Sequence, residues 1–195
     1  LKIIDKIDYS KILKIKSSFG NDALGGKKFF GIRLKKVNYN KRIFNKQLHG
    51  GSILDGGIYP ISLIIDIFNM HNKNFIENLK IINCKKKVSK DIDLSSSLDL
   101  LMDTIKIELK TSLIEKLNNN LEIYMKDEII ILNDIFNISL NSSIIHQTKN
   151  NTKKIINTDN KNSYYYEVKE LSNNLIEKLS ENNNYVSKFN KIKNN

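Results

Sequence analysis

Very little punctuates this chain: its 195 residues include one cysteine, one proline and no tryptophan. A lone Cys84 excludes an internal disulfide and a zinc site built from cysteines, and is the cysteine usage of a reducing compartment. Arginine occurs only at Arg33 and Arg42, although the formal net charge is +11. Nucleic-acid readers favour arginine for its planar, bidentate fork and gather their cations on one surface. Here the positive charge is lysine spread along the whole sequence, so it reads as solvated surface and no nucleic-acid partner is expected. The joint excess of Lys, Asn and Ile reads as a compositional bias. No signal peptide opens the chain, because LKIIDKIDYSKILKIK carries a charge every few residues. The longest apolar run, ISLIIDIF, is broken by Asp66 and reads as too short to cross a bilayer. A cytoplasmic protein with no membrane partner is therefore expected. All eight glycines lie between Gly20 and Gly57, so later turns must rely on Asn and Asp, which tolerate left-handed backbone.

What is present suffices for one domain with a substantial core. Residues 1–10 read as the end of a helix or linker left over from a preceding domain, since the chain opens on Leu1. Residues 11–180 read as the domain itself, and 181–195 as a polar tail. KILKIKSSF (11–19) alternates as a strand, and FFGIRL (29–34) reads as a short one. From Gly51 to Asn69 the apolar residues Ile53, Leu54, Ile58, Ile61, Ile64, Ile65 and Phe68 recur at helical spacing. Pro60 should bend that helix or mark a junction within it, because it removes an amide donor. After residue 74 the pattern turns to strands separated by Asn/Asp turns. In TIKIELKTSL, Ile105, Ile107 and Leu109 point one way while Lys106, Glu108 and Lys110 point the other, which is a sheet with one wet face. SSIIHQ and TKKIINT read as two edge strands or a long loop. YYYEVKELSNNLIEKL (164–179) is amphipathic and reads as a helix covering the sheet. The expected fold is α+β: a large, predominantly antiparallel open sheet with helices packed on one face.

The densest chemistry lies in HGGSILDGGIYP (49–60). Asp55 and Tyr59 are four apart and share a helix face. A carboxylate beside a phenol can handle a substrate hydroxyl, the phenol exchanging a proton and the carboxylate orienting the substrate or tuning the phenol. Glycines at 50, 51, 56 and 57 allow close backbone approach. The same spacing also fits a plainer arrangement, in which Asp55 caps a short helix, Tyr59 is a half-buried core aromatic and the glycines permit tight packing. His71 and His146 stand alone without metal-ligand spacing, and no metal is expected. Cys84 reads as a buried strand residue despite the three lysines after it, and Tyr164–Tyr166 as a junction packed on the sheet.

From KIKSSFG (14–20) through RIFNKQLHGGSILDGGIYPISL (42–63), the sequence resembles the start of the second domain of the Gfo/Idh/MocA oxidoreductases. The similarity is to the branch containing dimeric dihydrodiol dehydrogenase and glucose–fructose oxidoreductase. That branch has three glycines, three apolar or small residues, Asp, an apolar residue, Gly, one further residue and Tyr, often followed by Pro. Gly50, Gly51, Asp55, Gly57, Tyr59 and Pro60 match it, with Arg42, Phe44 and Leu48 fitting the lead-in. LKTSLIEKLNNNLEIYMKDEIIILND (109–134) resembles the family's paired strands and 164–179 its closing helix. Two positions depart: His49 replaces the first glycine, and Gly56 the apolar residue after the aspartate.

The resemblance implies the substrate-binding and dimerisation domain of an NAD(P)-dependent oxidoreductase acting on a sugar, cyclic polyol or related hydroxyl/carbonyl compound. It implies that Tyr59 exchanges or stabilises the hydroxyl proton and that Asp55 orients the substrate. Gly50, Gly51, Arg42 and His49 would line the substrate's approach. The cofactor half is not in this sequence. No two glycines are separated by a single residue, so a G-x-G-x-x-G turn is absent, and so is the family's Glu-Lys-Pro segment. NAD or NADP would be bound mainly by a missing Rossmann domain, and the chain alone would be inactive. The open sheet is expected to pair with a second copy. The alternative is a domain that has lost catalysis and keeps the sheet for protein association.

Overall fold

The structure, a computed structural model, describes residues 7–24, 28–29, 32–33, 36–70, 75–136, 142–156 and 163–181. The helix expected at the start of the chain lies mostly outside them. Contacts divide the chain into two compact units, Leu1–Asn137 with Asn141–Ile156, and Ile138–Leu140 with Asn157–Asn195.

The first unit is built on eight strands: β1 (Ile12–Gly20), β4 (Leu79–Ser89), β5 (Ile92–Met102), β6 (Ile105–Ser112), β7 (Asn120–Met125), β8 (Glu128–Asn133), β9 (Ser143–Thr148) and β10 (Asn151–Ile156). Their order across the sheet is β10-β9-β8-β7-β1-β6-β5-β4. Every neighbouring pair is antiparallel except β1 and β6, which run parallel with Ile15 opposite Ile107. A separate two-stranded ladder, β2 (Lys28–Phe29) and β3 (Ile32–Arg33), replaces the single short strand read from FFGIRL. Of SSIIHQ and TKKIINT, the described residues 143–147 and 152–156 are strand, at the β9–β10 end of the sheet. The later turns use Asp91, Asp103, Asn119 and Asp134 at positive φ, joined by Lys90. No glycine is needed where Asn and Asp reach the left-handed region.

The expected α+β architecture is what the chain adopts. A helix begins at Ser52, makes a π-helical turn over Ile53–Gly57 and continues as α1 (Ile58–Met70), followed by the short α2 (Phe75–Asn78). Pro60 is the third residue of α1, just after the π turn, so the junction absorbs the missing donor. Ile64, Ile67 and Phe68 are fully buried on one sheet face, against a layer that includes Ile15, Ile107, Leu121 and Ile123. Each such side chain contributes about 1.5–3 kcal/mol of burial. With its lead-in turns the helical run spans 46–70, and by length and composition alone it could cross a membrane, contrary to the sequence reading. Here it is the core helix of the sheet.

The opposite face is wet. Lys14 and Lys16 of β1 meet Glu108 of β6, and the Lys16 ammonium lies 5.2 Å from the Tyr124 ring centroid. A second apolar cluster of Leu24, Phe44, Ile92, Leu94, Leu113 and Ile114 holds the 36–50 segment on the same body. Cys84, expected to be buried, is exposed, because β4 is an edge strand covered on neither side around that position.

The second unit contains α3 (Ser163–Glu181). Described by itself, this helix exposes Val168, Leu171, Leu175 and Ile176, together with Tyr164, Tyr165 and Tyr166.

Candidate functional site

The residues singled out in the sequence lie where the 36–50 segment enters the core helix. Phe44, 1% exposed, pins two successive 3₁₀ turns, Arg42–Phe44 and Lys46–Leu48. The second turn is capped by the Asn45 side chain, which accepts from the Gln47 amide at 2.9 Å. His49 then reverses the chain at φ 55° and ψ 37°. That is the left-handed conformation for which glycine is the ordinary residue, and histidine is among the side chains that enter it more readily. His49 thus keeps the turn a glycine would make, with its ring exposed.

Gly50 and Gly51 are buried, and protein atoms fill the space around them. A Cβ at Gly50 would meet the Arg42 carbonyl oxygen at 2.5 Å, while Gly51 combines φ +128° with the Asp93 carboxylate against its α-carbon. The Gly50 amide donates to the Asn45 carbonyl and the Gly51 amide to that of Ile43, at 2.9 and 3.0 Å. Tight folding of the loop is what demands glycine at these two positions.

The helix start is locked from the sheet side. Asp93 of β5 accepts three hydrogen bonds on one oxygen: from the Ile53 amide at 2.9 Å, the Ser52 hydroxyl at 2.6 Å and the Ser96 hydroxyl at 2.9 Å. Thr111 of β6 donates to the Ser52 hydroxyl at 3.0 Å. Ser52 is fully buried. A carboxylate on the first amides of a helix is a cap supplied from another element, favoured by both hydrogen bonding and the helix dipole. Nothing in the local pattern pointed to Asp93, since its helix partners Ser52 and Ile53 lie 41 and 40 residues away and the usual capping position holds Ser52.

Above this anchor the candidate residues divide into two pairs. Arg42 reaches across and forms an ion pair with Asp55, whose side chain is 23% exposed. Tyr59, in the first turn of α1, packs its ring edge against Phe19 of β1, with centroids 5.4 Å apart. Phe19 comes this close because Gly56 lacks a side chain, and a Cβ there would sit 3.0 Å from its ring. Gly56, where the resembled family has an apolar residue, therefore admits the ring that steadies Tyr59. The Tyr59 side chain is 53% exposed, and its hydroxyl makes no hydrogen bond among the described residues. No hydrogen bond joins Asp55 to Tyr59: the carboxylate goes to arginine and the phenol faces solvent.

Such an arrangement offers an exposed phenol, able to give or take a proton, four residues along the helix from a carboxylate paired with a guanidinium. Sequence reasoning missed Phe19 and Asp93, both of which reach the site from distant strands. His146 pairs with Glu128 at 2.6 Å on β9 and β8, away from these residues, and His71 lies outside the described residues. No group of three metal-ligating side chains occurs among the described residues.

No protein-family model matches the sequence. No curated protein matches it either. Solved structures do match in fold. An aldose–aldose oxidoreductase from Caulobacter crescentus, complexed with glycerol, aligns with a TM-score of 0.62 at 12% identity, covering 85% of this chain and 46% of its own. The 3-ketoreductase KijD10 from Actinomadura kijaniata, in complex with NADP and TDP-benzene, aligns with a TM-score of 0.57 at 13% identity, covering 75% and 40%. This chain therefore spans less than half the length of either and shares the fold of the part of each that it covers.

Proposed function

We propose that this chain is the substrate-binding and oligomerisation domain of an NAD(P)-dependent oxidoreductase of the Gfo/Idh/MocA kind, acting on a sugar, cyclic polyol or related hydroxyl/carbonyl compound. The observation that carries the reading is Tyr59: a phenol with no hydrogen bond among the described residues, steadied by Phe19, four residues after the Arg42-paired Asp55 at the anchored start of the core helix. In this reading the phenol exchanges the substrate's hydroxyl proton, and Asp55, held by Arg42, orients a neighbouring hydroxyl. Exposed His49 borders the substrate, whereas Gly50 and Gly51, expected to line its approach, are buried and only shape the turn beneath it.

The described residues do not fit a dinucleotide. The sequence has no G-x-G-x-x-G turn, and the one parallel pair, β1 and β6, joins no glycine turn opening a helix. The nicotinamide, which supplies the hydride chemistry, would belong to another domain. A reducing, cytoplasmic setting goes with this reading.

Chemical-shift mapping on the ¹⁵N-labelled chain with a panel of aldoses and cyclic polyols tests the substrate assignment. Saturable shifts centred on residues 42–60, lost in Asp55→Ala, are expected. Shifts spread elsewhere, or unchanged in the variant, contradict it.

A further inference from the structure

The sheet carries a concavity on the face opposite Asp55 and Tyr59, lined by none of the residues 42–60. Its floor is β4, β5 and β6, and residues of the segment after β6, Glu115 and Leu117, form part of its wall. Its volume is about 350 Å³. Strand register explains both the hollow and its charge. In one row across the strands Lys85 stands opposite Ser97, and Ser97 opposite Lys110. In the next, Lys87 stands opposite Ser95, and Ser95 opposite Ser112. Side chains two apart on a strand share a face, so Lys85, Lys87 and Lys110 surround the small side chains of Ser95 and Ser97. Strand spacing puts Lys85 and Lys110 about 10 Å apart across the sheet, and Lys85 and Lys87 about 7 Å apart along it, at the level of the backbone.

These cations are uncompensated. Among the described residues none of Lys85, Lys87 and Lys110 forms an ion pair, and the Ser95 and Ser97 hydroxyls have no partner. The nearest carboxylates of that face, Glu108 and Asp99, form no ion pair with them. Glu108, two residues before Lys110 on the same face, is bound by Lys14 and Lys16. Asp99, two residues after Ser97, accepts from the Asn83 amide at 3.1 Å. Only Glu115 among the lining residues is acidic, against the lysines at 85, 86, 87 and 110. Clustered like charges repel one another, and an arrangement of three ammonium groups over free hydroxyls is complementary to a compact, doubly charged oxyanion. The lysine run 85–87 alternates between faces, so its partner Lys110 emerges only from the register.

We infer that this hollow binds a phosphate dianion, free or carried as the phosphomonoester of a small molecule. Ammonium groups of Lys85, Lys87 and Lys110 pair with its oxygens, while Ser95 and Ser97 donate hydroxyl hydrogen bonds. The inference is independent of the site around Tyr59, which lies on the other face.

The test is titration of the full ¹⁵N-labelled chain with inorganic phosphate, and separately with glycerol phosphate, at low ionic strength and against chloride of matched ionic strength. Saturable amide shifts at Ser95, Ser97 and Lys110 are expected with phosphate and not with chloride. Tighter binding of glycerol phosphate identifies an esterified ligand, and equal or weaker binding a free one. Lys85→Gln and Lys110→Gln should each weaken binding about fivefold, the upper range for an exposed ion pair. These exposed edge and face positions leave the core packing intact. Shifts equal to those with chloride, or undiminished in the Lys85→Gln/Lys110→Gln double variant, overturn the inference. A response to heparin without one to either phosphate also overturns it, marking a diffuse basic surface.

Discussion

At the scale of single residues, the site rests on side chains that are not themselves its chemistry. Asp93 holds the first turn of the core helix through the Ile53 amide and the Ser52 hydroxyl, and Ser96 completes its shell. Truncating it leaves those donors unpaired in a largely buried place, which costs about 2–3 kcal/mol. Urea unfolding of Asp93→Ala should show a loss of that size, and a midpoint within error of the parent would remove the anchor from the account. Asp55 and Tyr59 were legible in the sequence as a pair, because their spacing is local, while Arg42 entered only through the family resemblance. The actual pairing was not legible, since the π turn and the Arg42 reach decide that Asp55 meets a guanidinium rather than the phenol. His49 shows the converse. Its replacement of a glycine is visible in the sequence, but only its φ of 55° shows that the turn survives.

At the scale of elements, alternation revealed most strands because one face is packed and the other wet. Ile105, Ile107 and Leu109 are buried as expected, and Glu122 and Tyr124 share the wet face with Lys14 and Lys16. What alternation cannot carry is pairing. The placing of β1 between β7 and β6, parallel to the latter, depends on partners about 90 to 110 residues away. Cys84 was misread for a related reason: its strand is an edge, and an apolar-looking run does not say which strand lies outermost. The wet face also makes a prediction for alkaline solution. Tyr124 donates to Glu122, and that hydrogen bond, with partial burial and the charges of Glu122 and Glu108, raises its phenol to about 12. Burial and then Asp103 raise Tyr9 to about 12 as well. An unfolded tyrosine ionises near about 10. Both phenols therefore contribute stability that is fully present below about pH 10 and is lost as pH rises towards 12. The urea midpoint should fall across that window, and less steeply in Tyr124→Phe than in the parent. Because lysines titrate equally in both proteins, identical slopes would contradict the assignment.

At the scale of the whole molecule, the open face is not uniform. Its β4–β6 end is the lysine-lined hollow, its middle the Lys14, Lys16, Glu108 and Glu122 network, and its β8–β9 end carries Ile129, Ile131 and Ile145 beside Gln147. Ile131 stands opposite Glu122 on one side and Ile145 on the other, and Ile129 stands opposite Tyr124. We expect a second copy to pair through this end, leaving the hollow open. Light scattering should then report a dimer that Ile131→Lys converts to monomer, and a parent that is monomeric at high concentration would contradict it. The central claim is that Tyr59 handles the substrate proton. Its most direct test is the steady-state turnover of Tyr59→Phe, measured in a form of the protein that carries the proposed dinucleotide-binding domain. The account predicts a fall of at least about tenfold with the fold intact, on the scale of general acid–base catalysis. Unchanged turnover in a folded variant would contradict it.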